Sequence, residues 1–171
     1  MKSMTFFDLA KERYSERKFS DKAVGKELLD AILETGRIAP TAHNNQPQRI
    51  KVLTAAGDLA KVDECTPCRY GAPVVFMVCY DKDVSWKRGF DGEDGGVVDA
   101  SIVTTHLMLA AQEKGIASCW VMHFDPAKAI SLFDLPKNIV PVALLPVGYP
   151  AEGSGPSPRH TDRLLLDSIL F

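Results

Sequence analysis

One sheet covered by helices, in an α+β or α/β arrangement, is the fold class that the sequence predicts. Three observations lead there. Helical and extended patterns follow one another in the order α-α-β-α-β-α-β-α-β, and such a succession builds a sheet with helices laid on it. Val74-Val75-Phe76-Met77-Val78-Cys79 is an unbroken apolar run, the pattern of a strand buried on both faces. Val97 to Lys114 carries apolar residues nearly all round a helix, so it is expected to be buried on most sides. With 171 residues, the chain 1–171 is expected to form one domain with a core of its own.

Each element has a local reason. Thr5 to Tyr14 reads as a helix whose apolar contribution is Phe6, Phe7, Leu9 and Ala10. In Lys26 to Gly36, Leu28, Leu29, Ile32 and Leu33 recur at helical spacing, Gly25 is placed to cap the start, and Gly36 falls where a helix often stops. Arg49 to Thr54 is a short strand and Ala56 to Glu64 a modest helix. Pro73 opens the buried strand, Asp81 to Gly96 is a loop, and Gly115 ends the long helix. Ala117 to Met122 reads as a strand, and Asp125 caps a helix through Phe133. Ile139 to Val147 is apolar and β-branched, and its Pro141 and Pro146 predict a sheet edge or a bulge.

The tail breaks the pattern. Pro150 to Pro158 is rich in Gly, Ser and Pro, as in an extended arm, and six of the last eight residues are large and apolar: Leu164, Leu165, Leu166, Ile169, Leu170 and Phe171. At ~25 cal/mol per Å2 of apolar surface, leaving all six wet forgoes several kcal/mol. They are expected to dock, either on the chain's own core or on a second subunit.

Bulk properties exclude several classes. Hydrophobic residues make up 46% and charged residues 25%, with a net charge of -2. That is ordinary for a soluble globular protein and carries no basic excess that would point to nucleic acid. No apolar run reaches the ~18–20 residues of a membrane span, and Met1 to Arg13 lacks the apolar region and small-residue cleavage site of a signal peptide. A cytoplasmic location is the expectation, in which the four cysteines are free thiols.

Two motifs offer chemistry. In Arg13-Tyr14-Ser15-Glu16-Arg17-Lys18-Phe19, continuation of the first helix would put Arg13 and Arg17 at i and i+4 on one face. Like charges there repel by a few tenths of a kcal/mol unless an anion lies between them; guanidinium forks suit phosphate oxygens, and Ser15 adds a hydroxyl. The bland reading is a solvated face neutralised by Glu12 and Glu16. Arg159, His160 and Arg163 follow the proline-rich arm, and a folded-back arm would bring them to the same phosphate. The second motif, Ala39-Pro40-Thr41-Ala42-His43-Asn44-Asn45-Gln46-Pro47-Gln48, is a stiffened loop dense in amides. Paired amide donors and acceptors can read the edge of a heterocycle, or simply cap their own backbone.

In order and spacing, R-x-S-x-R-x-F over Arg13–Phe19 and A-P-T-x-x-N-x-Q-P over Ala39–Pro47 resemble the nitroreductase family of FMN-dependent oxidoreductases. The likeness continues through the Asp99–Lys114 helix, Gly115-Ile116-Ala117-Ser118-Cys119-Trp120, Val147-Gly148-Tyr149-Pro150, and Arg163 with the apolar stretch behind it. It implies an α+β fold, an α-β-α sandwich with a mixed, mainly antiparallel sheet. It further implies an obligate homodimer with two FMN sites built from both subunits and an arm, residues 150–171, embracing the partner. Arg13, Ser15 and Arg17 match positions that hold the phosphate and ribityl chain. Arg163 matches a C-terminal phosphate-binding arginine, with Arg159 a candidate beside it. Pro40, Thr41 and Asn44 match the loop that reaches the flavin from the partner, Gln46 looks like a residue near the ring, and Cys119 and Trp120 would pass beside the isoalloxazine. The long helix would lie in the dimer core.

The activity implied is two-electron transfer from NAD(P)H through FMN to a nitroaromatic, a quinone or another small acceptor in a ping-pong scheme. The cofactor carries such a reaction, so no catalytic acid, base or nucleophile is named. A non-enzymatic FMN-binding or storage protein of the same fold is the alternative. Two departures bear on specificity: Gln48 stands where many relatives have an aromatic residue, and the stretch between Cys79 and Val97 is short, leaving Ser85 to Phe90 as the candidate cover for the flavin. Cys65-Thr66-Pro67-Cys68 follows a helix and precedes a strand, the reverse of a thioredoxin-like pair, and no second pair completes a zinc set. His106, inside the apolar helix, reads as a satisfied buried histidine, and His43 as the histidine best placed to approach a ligand.

Overall fold

The computed structural model describes residues 5–171; Met1–Met4, part of the amino-terminal stretch read for a signal peptide, lie outside the described residues. Its centre is the apolar run, which forms β2 (Val74–Asp81) with every residue buried. Alternate side chains serve two separate cores. Val74, Phe76, Val78 and Tyr80 pack towards α2 (Lys26–Arg37) and α4 (Gly96–Glu113). Val75, Met77 and Cys79 pack towards α3 (Ala56–Cys65) and α5 (Pro126–Leu132). The run is continuous because both faces of the sheet are covered, and each fully buried large side chain contributes about 1.5–3 kcal/mol.

Around β2 the sheet has the order β1-β2-β4-β3, with β1 at Gln48–Leu53, β3 at Ala117–Ser118 and β4 at Ile139–Gly148. All three strand pairings are antiparallel. The expectation of a mixed sheet is therefore corrected: the one parallel pairing found among the described residues is an isolated bridge between Ser15 and Ser118. β4 is also not an edge, despite its prolines. Pro141 sits where the register against β2 shifts by one residue, between Val78 and Cys79, a bulge of the predicted kind. Pro146 gives its carbonyl to the Cys119 N–H at 3.2 Å. Its nitrogen therefore faces the β3 side, where the neighbouring strand is two residues long and little pairing is lost. The predicted Ala117–Met122 strand shrinks accordingly to Ala117–Ser118 and one bridge from Val121 to Leu144.

Helix ends follow local chemistry with two exceptions. α1 (Phe6–Glu12) opens on a capping box: the Thr5 hydroxyl accepts from the Asp8 N–H at 3.1 Å, and the Asp8 carboxylate accepts from the Thr5 N–H at 3.3 Å. Asp125 caps α5 by accepting from the Lys128 N–H at 3.0 Å, and Gly115 leaves α4 at a φ of 72°. The first exception is α1, which stops at Glu12 instead of running through Tyr14. From Arg13 the chain is extended, and the Glu16 N–H donates to the Ser118 carbonyl at 3.0 Å; a bond to the sheet margin replaces another helical turn. The second is Gly36, which lies inside α2 and does not end it. A Cβ there would meet Leu107 of α4 at 2.8 Å, so the missing side chain sets how closely the two helices approach.

Two apolar surfaces find no cover among the described residues. α4 is less buried than predicted, with Val97 46% and Val98 62% exposed. All six large residues of the tail are exposed too, and docking on the chain's own core is thereby excluded.

Candidate functional site

Where the two ends of the chain meet, Arg13, Tyr14, Ser15 and Arg17 form one wall of a cleft of about 190 Å3. Ser157, Arg159, His160 and Arg163 from the arm form the other. The extended backbone after α1 accounts for the first wall: with side chains alternating at period two, Arg13, Ser15 and Arg17 share a face without any helix. Sequence reasoning put them on one face for the wrong reason.

Glu16 accounts for the meeting, and sequence reasoning missed it. Under the bland reading it would neutralise its arginine neighbours on a solvated face; it turns inward instead and is 1% exposed. Its carboxylate accepts from the N–H groups of Arg17 and Lys18, both at 2.9 Å, and from the Tyr14 and Ser154 hydroxyls, both at 3.0 Å. Ser154 belongs to the arm, so this knot ties residues 138 positions apart. Ala151 N–H to Lys18 carbonyl (2.9 Å), the Phe19–Pro150 bridge, and the edge-on contact of the Tyr14 and His160 rings complete the seam. Buried with four donors, the Glu16 carboxylate has none left for a guanidinium.

The cleft is consequently a concentration of positive charge. None of Arg13, Arg17, Arg159 and Arg163 forms an ion pair with a carboxylate among the described residues. Among the described residues the guanidinium groups of Arg17 and Arg163 donate to backbone carbonyls close by in the chain. Burial, and then the like charge of Arg163 across the cleft, hold Arg13 below the ordinary arginine range. Such an arrangement repels itself until a compact anion enters, and guanidinium forks match a phosphate. Cys119 lies at the back of this region and is 4% exposed. Burial pushes its thiol up, while Arg17, Ser15 and Arg13 pull the other way. Trp120 next to it packs against the α2/α4 core, and its buried indole N–H has no acceptor.

Pro40, Thr41, Asn44 and Gln46 do not line this cleft. They form a separate projecting loop between α2 and β1, in which His43, Asn44 and Gln46 hold φ values of 53°, 54° and 53°. Left-handed non-glycine residues cost on the order of 1–3 kcal/mol each, somewhat less for Asn and His. Part of the amide content caps the loop itself, as the bland reading holds: the Thr41 hydroxyl accepts from the Gln46 N–H at 3.1 Å, and Gln46 Nε2 donates to the Asn44 carbonyl at 3.3 Å. The exposed Asn44 side chain has no hydrogen-bond partner among the described residues and stays available to a ligand.

Two further residues support this loop, a role the sequence did not reveal: Trp86, from the Ser85–Phe90 stretch read as a cover for the flavin, and Asp99, from the start of the long helix. The Trp86 ring stacks on His43 with centroids 5.6 Å apart and planes 15° from parallel. Asp99, 2% exposed in the first turn of α4, accepts from the Ala42 N–H at 2.9 Å through Oδ1, while Oδ2 is buried without a donor. His106 is satisfied as expected, through Nδ1 and the Ile102 carbonyl at 2.8 Å, but is half-buried where full burial was expected. Cys65 and Cys68 are free thiols, as expected for them.

Fold and cleft together define a class: an α-β-α sandwich of α+β type, with an open antiparallel sheet and an arginine-lined cleft sewn from distant segments of one chain. The nitroreductase family model matches residues 10–67 and 60–149, and the chain belongs to that family. A crystal structure of a nitroreductase family protein from Clostridium difficile 630 superposes with a TM-score of 0.93 at 41% identity, over 98% of each chain. A protein of Methanothermobacter thermautotrophicus, named for NADH dehydrogenase or NAD(P)H nitroreductase activity, is 33% identical over 161 residues, which is 89% of this chain and 81% of its own length. A structure from Exiguobacterium sibiricum 255-15, solved in complex with FMN, shares the fold at a TM-score of 0.84 and 20% identity, over 99% of this chain and 97% of its own. No described helix is long and apolar enough to cross a membrane.

Proposed function

We propose that this chain is an FMN-dependent oxidoreductase that takes two electrons from NAD(P)H and delivers them to a small acceptor such as a nitroaromatic or a quinone. The observation that carries the reading is the set of four arginines, from both ends of the chain, around one cleft with no carboxylate to neutralise them. The dianionic phosphate of FMN fits that set in charge and in hydrogen-bonding geometry. When bound, the flavin supplies the hydride-accepting and electron-donating chemistry.

The chain's residues bind and orient. Arg13, Arg17, Arg159 and Arg163 hold the phosphate, and Ser15 donates to the phosphate or the ribityl chain. Cys119 and Trp120 flank the approach of the ring. Pro40, Thr41, Asn44 and Gln46 lie outside the cleft, so they serve a ring held by a second copy of the chain. The single domain 1–171 accordingly works as a homodimer in which residues 150–171 wrap the partner and the uncovered face of α4 meets it. The exposed Val97, Val98 and tail supply the apolar surface for that contact.

The test is the absorbance spectrum of the purified protein, taken with its mass in solution. A yellow dimer whose flavin band bleaches anaerobically with NADH or NADPH meets the proposal. A yellow dimer that neither reductant bleaches is a flavin-binding protein without this activity, and a colourless monomer that takes up no added FMN defeats both readings.

A further inference from the structure

We infer that Trp86 is a positioning residue for the reaction, fixing the Thr41–Gln46 loop in the conformation that addresses the flavin ring, with Asp99 as its second anchor. The inference rests on the functional reading above. The loop needs outside support, because three of its residues hold left-handed conformations and the strand ladder that follows it begins only at Gln48. Besides Arg49 Nη1, which donates to the Gln46 carbonyl at 3.1 Å, three ties supply that support, and these three come from residues 84–99. The His43 ring lies flat on Trp86 at 5.6 Å, Asn45 Nδ2 donates to the Val84 carbonyl at 3.0 Å, and the Ala42 N–H donates to Asp99 Oδ1 at 2.9 Å.

The anchoring segment is itself braced. The Gly95 N–H donates to the Trp86 carbonyl at 2.9 Å and the Arg88 N–H to the Glu93 carbonyl at 2.9 Å. Lys87 pairs with Asp94 at 2.7 Å and Arg88 with Asp91 at 2.6 Å. A Cβ on Gly95 would crowd the indole at 3.3 Å, so the backbone closes directly behind Trp86. Asp99 is kept at the cost of a buried oxygen without a donor. Packing alone does not favour such a carboxylate, and local rules are broken in this way chiefly where a residue serves a site. The product of the bracing is an exposed, unpartnered Asn44 amide on a stiff support. Placement matters there, since a misplacement of about 1 Å can cost as much as ~100-fold in rate.

Trp86→Ala should leave FMN bound through its phosphate, yet alter the visible circular dichroism of the bound flavin and lower kcat/KM for NAD(P)H by at least ~10-fold. Trp86→Phe, which keeps an aromatic face on His43, should restore both. In the flavin-free protein, amide hydrogen exchange at Ala42 and Gln46 should quicken in Trp86→Ala and return towards the wild-type rate in Trp86→Phe. Unchanged dichroism and unchanged exchange in Trp86→Ala would overturn the inference. Should Trp86→Ala fail to fold, Asn45→Ala cuts the tie to Val84 from the loop side, and wild-type exchange at Ala42 and Gln46 in that variant would overturn it equally. A wild-type chain that takes up no FMN defeats the functional reading alone, since the exchange experiment still decides whether Trp86 braces the loop.

Discussion

The arginine cleft and the amide loop are built on opposite plans. The cleft draws on residues far apart in the chain and is held by a knot, Glu16, that accepts from four donors. It is complete within one copy: both walls, the charge and the seam between them are present. The loop draws on neighbouring residues and strains its own backbone; it is stiffened by the adjoining hairpin closed at the antiparallel Lys87–Asp94 bridge, through a ring stack to Trp86 and a hydrogen bond to Val84 at its base, and by a second hydrogen bond to Asp99 of α4. It does not reach the cleft. Charge can be gathered by a single fold, because Coulomb attraction tolerates a loose fit. Reading a planar edge requires amides at fixed positions, and here they are displayed outward. In the proposed dimer each copy contributes the affinity of one site and the selectivity of the other.

The variant expected to act most strongly removes the knot. Glu16→Ala strands four donors, two of them backbone N–H groups, in a buried place. It should cost on the order of 3–4 kcal/mol of stability in urea unfolding and abolish FMN binding by separating the walls. Retained binding would mean that the cleft does not depend on the seam. Next comes Arg17→Ala with Arg163→Ala, one residue from each wall. Loss of two charge-assisted contacts should weaken FMN by ~100-fold, or ~3 kcal/mol, in a fluorescence titration, with little change in unfolding. Unchanged affinity would place the phosphate elsewhere.

Asn44→Ala probes the other region and should have a smaller, different effect. The loss of one amide contact should weaken FMN by about 1 kcal/mol. Riboflavin, which has the ring but no phosphate, should lose the same increment from Asn44→Ala and nothing comparable from the double arginine variant. If both variants weakened riboflavin equally, the division of labour between the regions would be wrong.

The mildest perturbation is acid. Burial alone would raise the Asp94 carboxyl, but Lys87 and the Gly96 N–H outweigh it and hold the group at about 2. A carboxyl depressed on folding contributes stability that is fully present above its unfolded value near 4 and is lost as pH falls through the folded value near 2. The hairpin carrying Trp86 should therefore loosen between about pH 4 and pH 2, read as a change in Trp86 fluorescence in a Trp120→Phe background. A Trp86 signal flat across that window would show that the Lys87–Asp94 pair does not hold the brace.

Features governed by neighbours in sequence were legible, and those governed by contacts across the fold were not. The buried β2, the caps at Thr5 and Asp125, and the turn at Gly115 each follow from a handful of adjacent residues. α1 was overextended because its successor residues remain compatible with a helix; their preference for the sheet margin depends on Ser118, a hundred positions away. Gly36 resembled a helix stop because nothing nearby in sequence announces Leu107. The prolines of β4 announced an edge or a bulge, and Pro141 does fall on a bulge; that the strand is nonetheless interior, with Pro146 facing a strand of two residues, was not written nearby in the sequence. Of the site, the arginines were visible as charges at fixed spacing, whereas Glu16, Trp86 and Asp99 resembled a surface acid, a loop aromatic and a helix-starting acid.

By itself, then, the sequence determined the class of fold, the family resemblance and the identity of the guanidinium-bearing and amide-bearing residues, since all of these are written in local pattern and residue chemistry. Tertiary structure alone decided which of them meet. Burial turned Glu16 away from its arginines, the sheet edge straightened the segment that carries Arg13 and Arg17, and the arm folded back to bring Arg159 and Arg163 to the same cleft. Proximity between distant residues arises from the balance of packing and hydrogen bonding over the whole chain, and no local pattern encodes that balance.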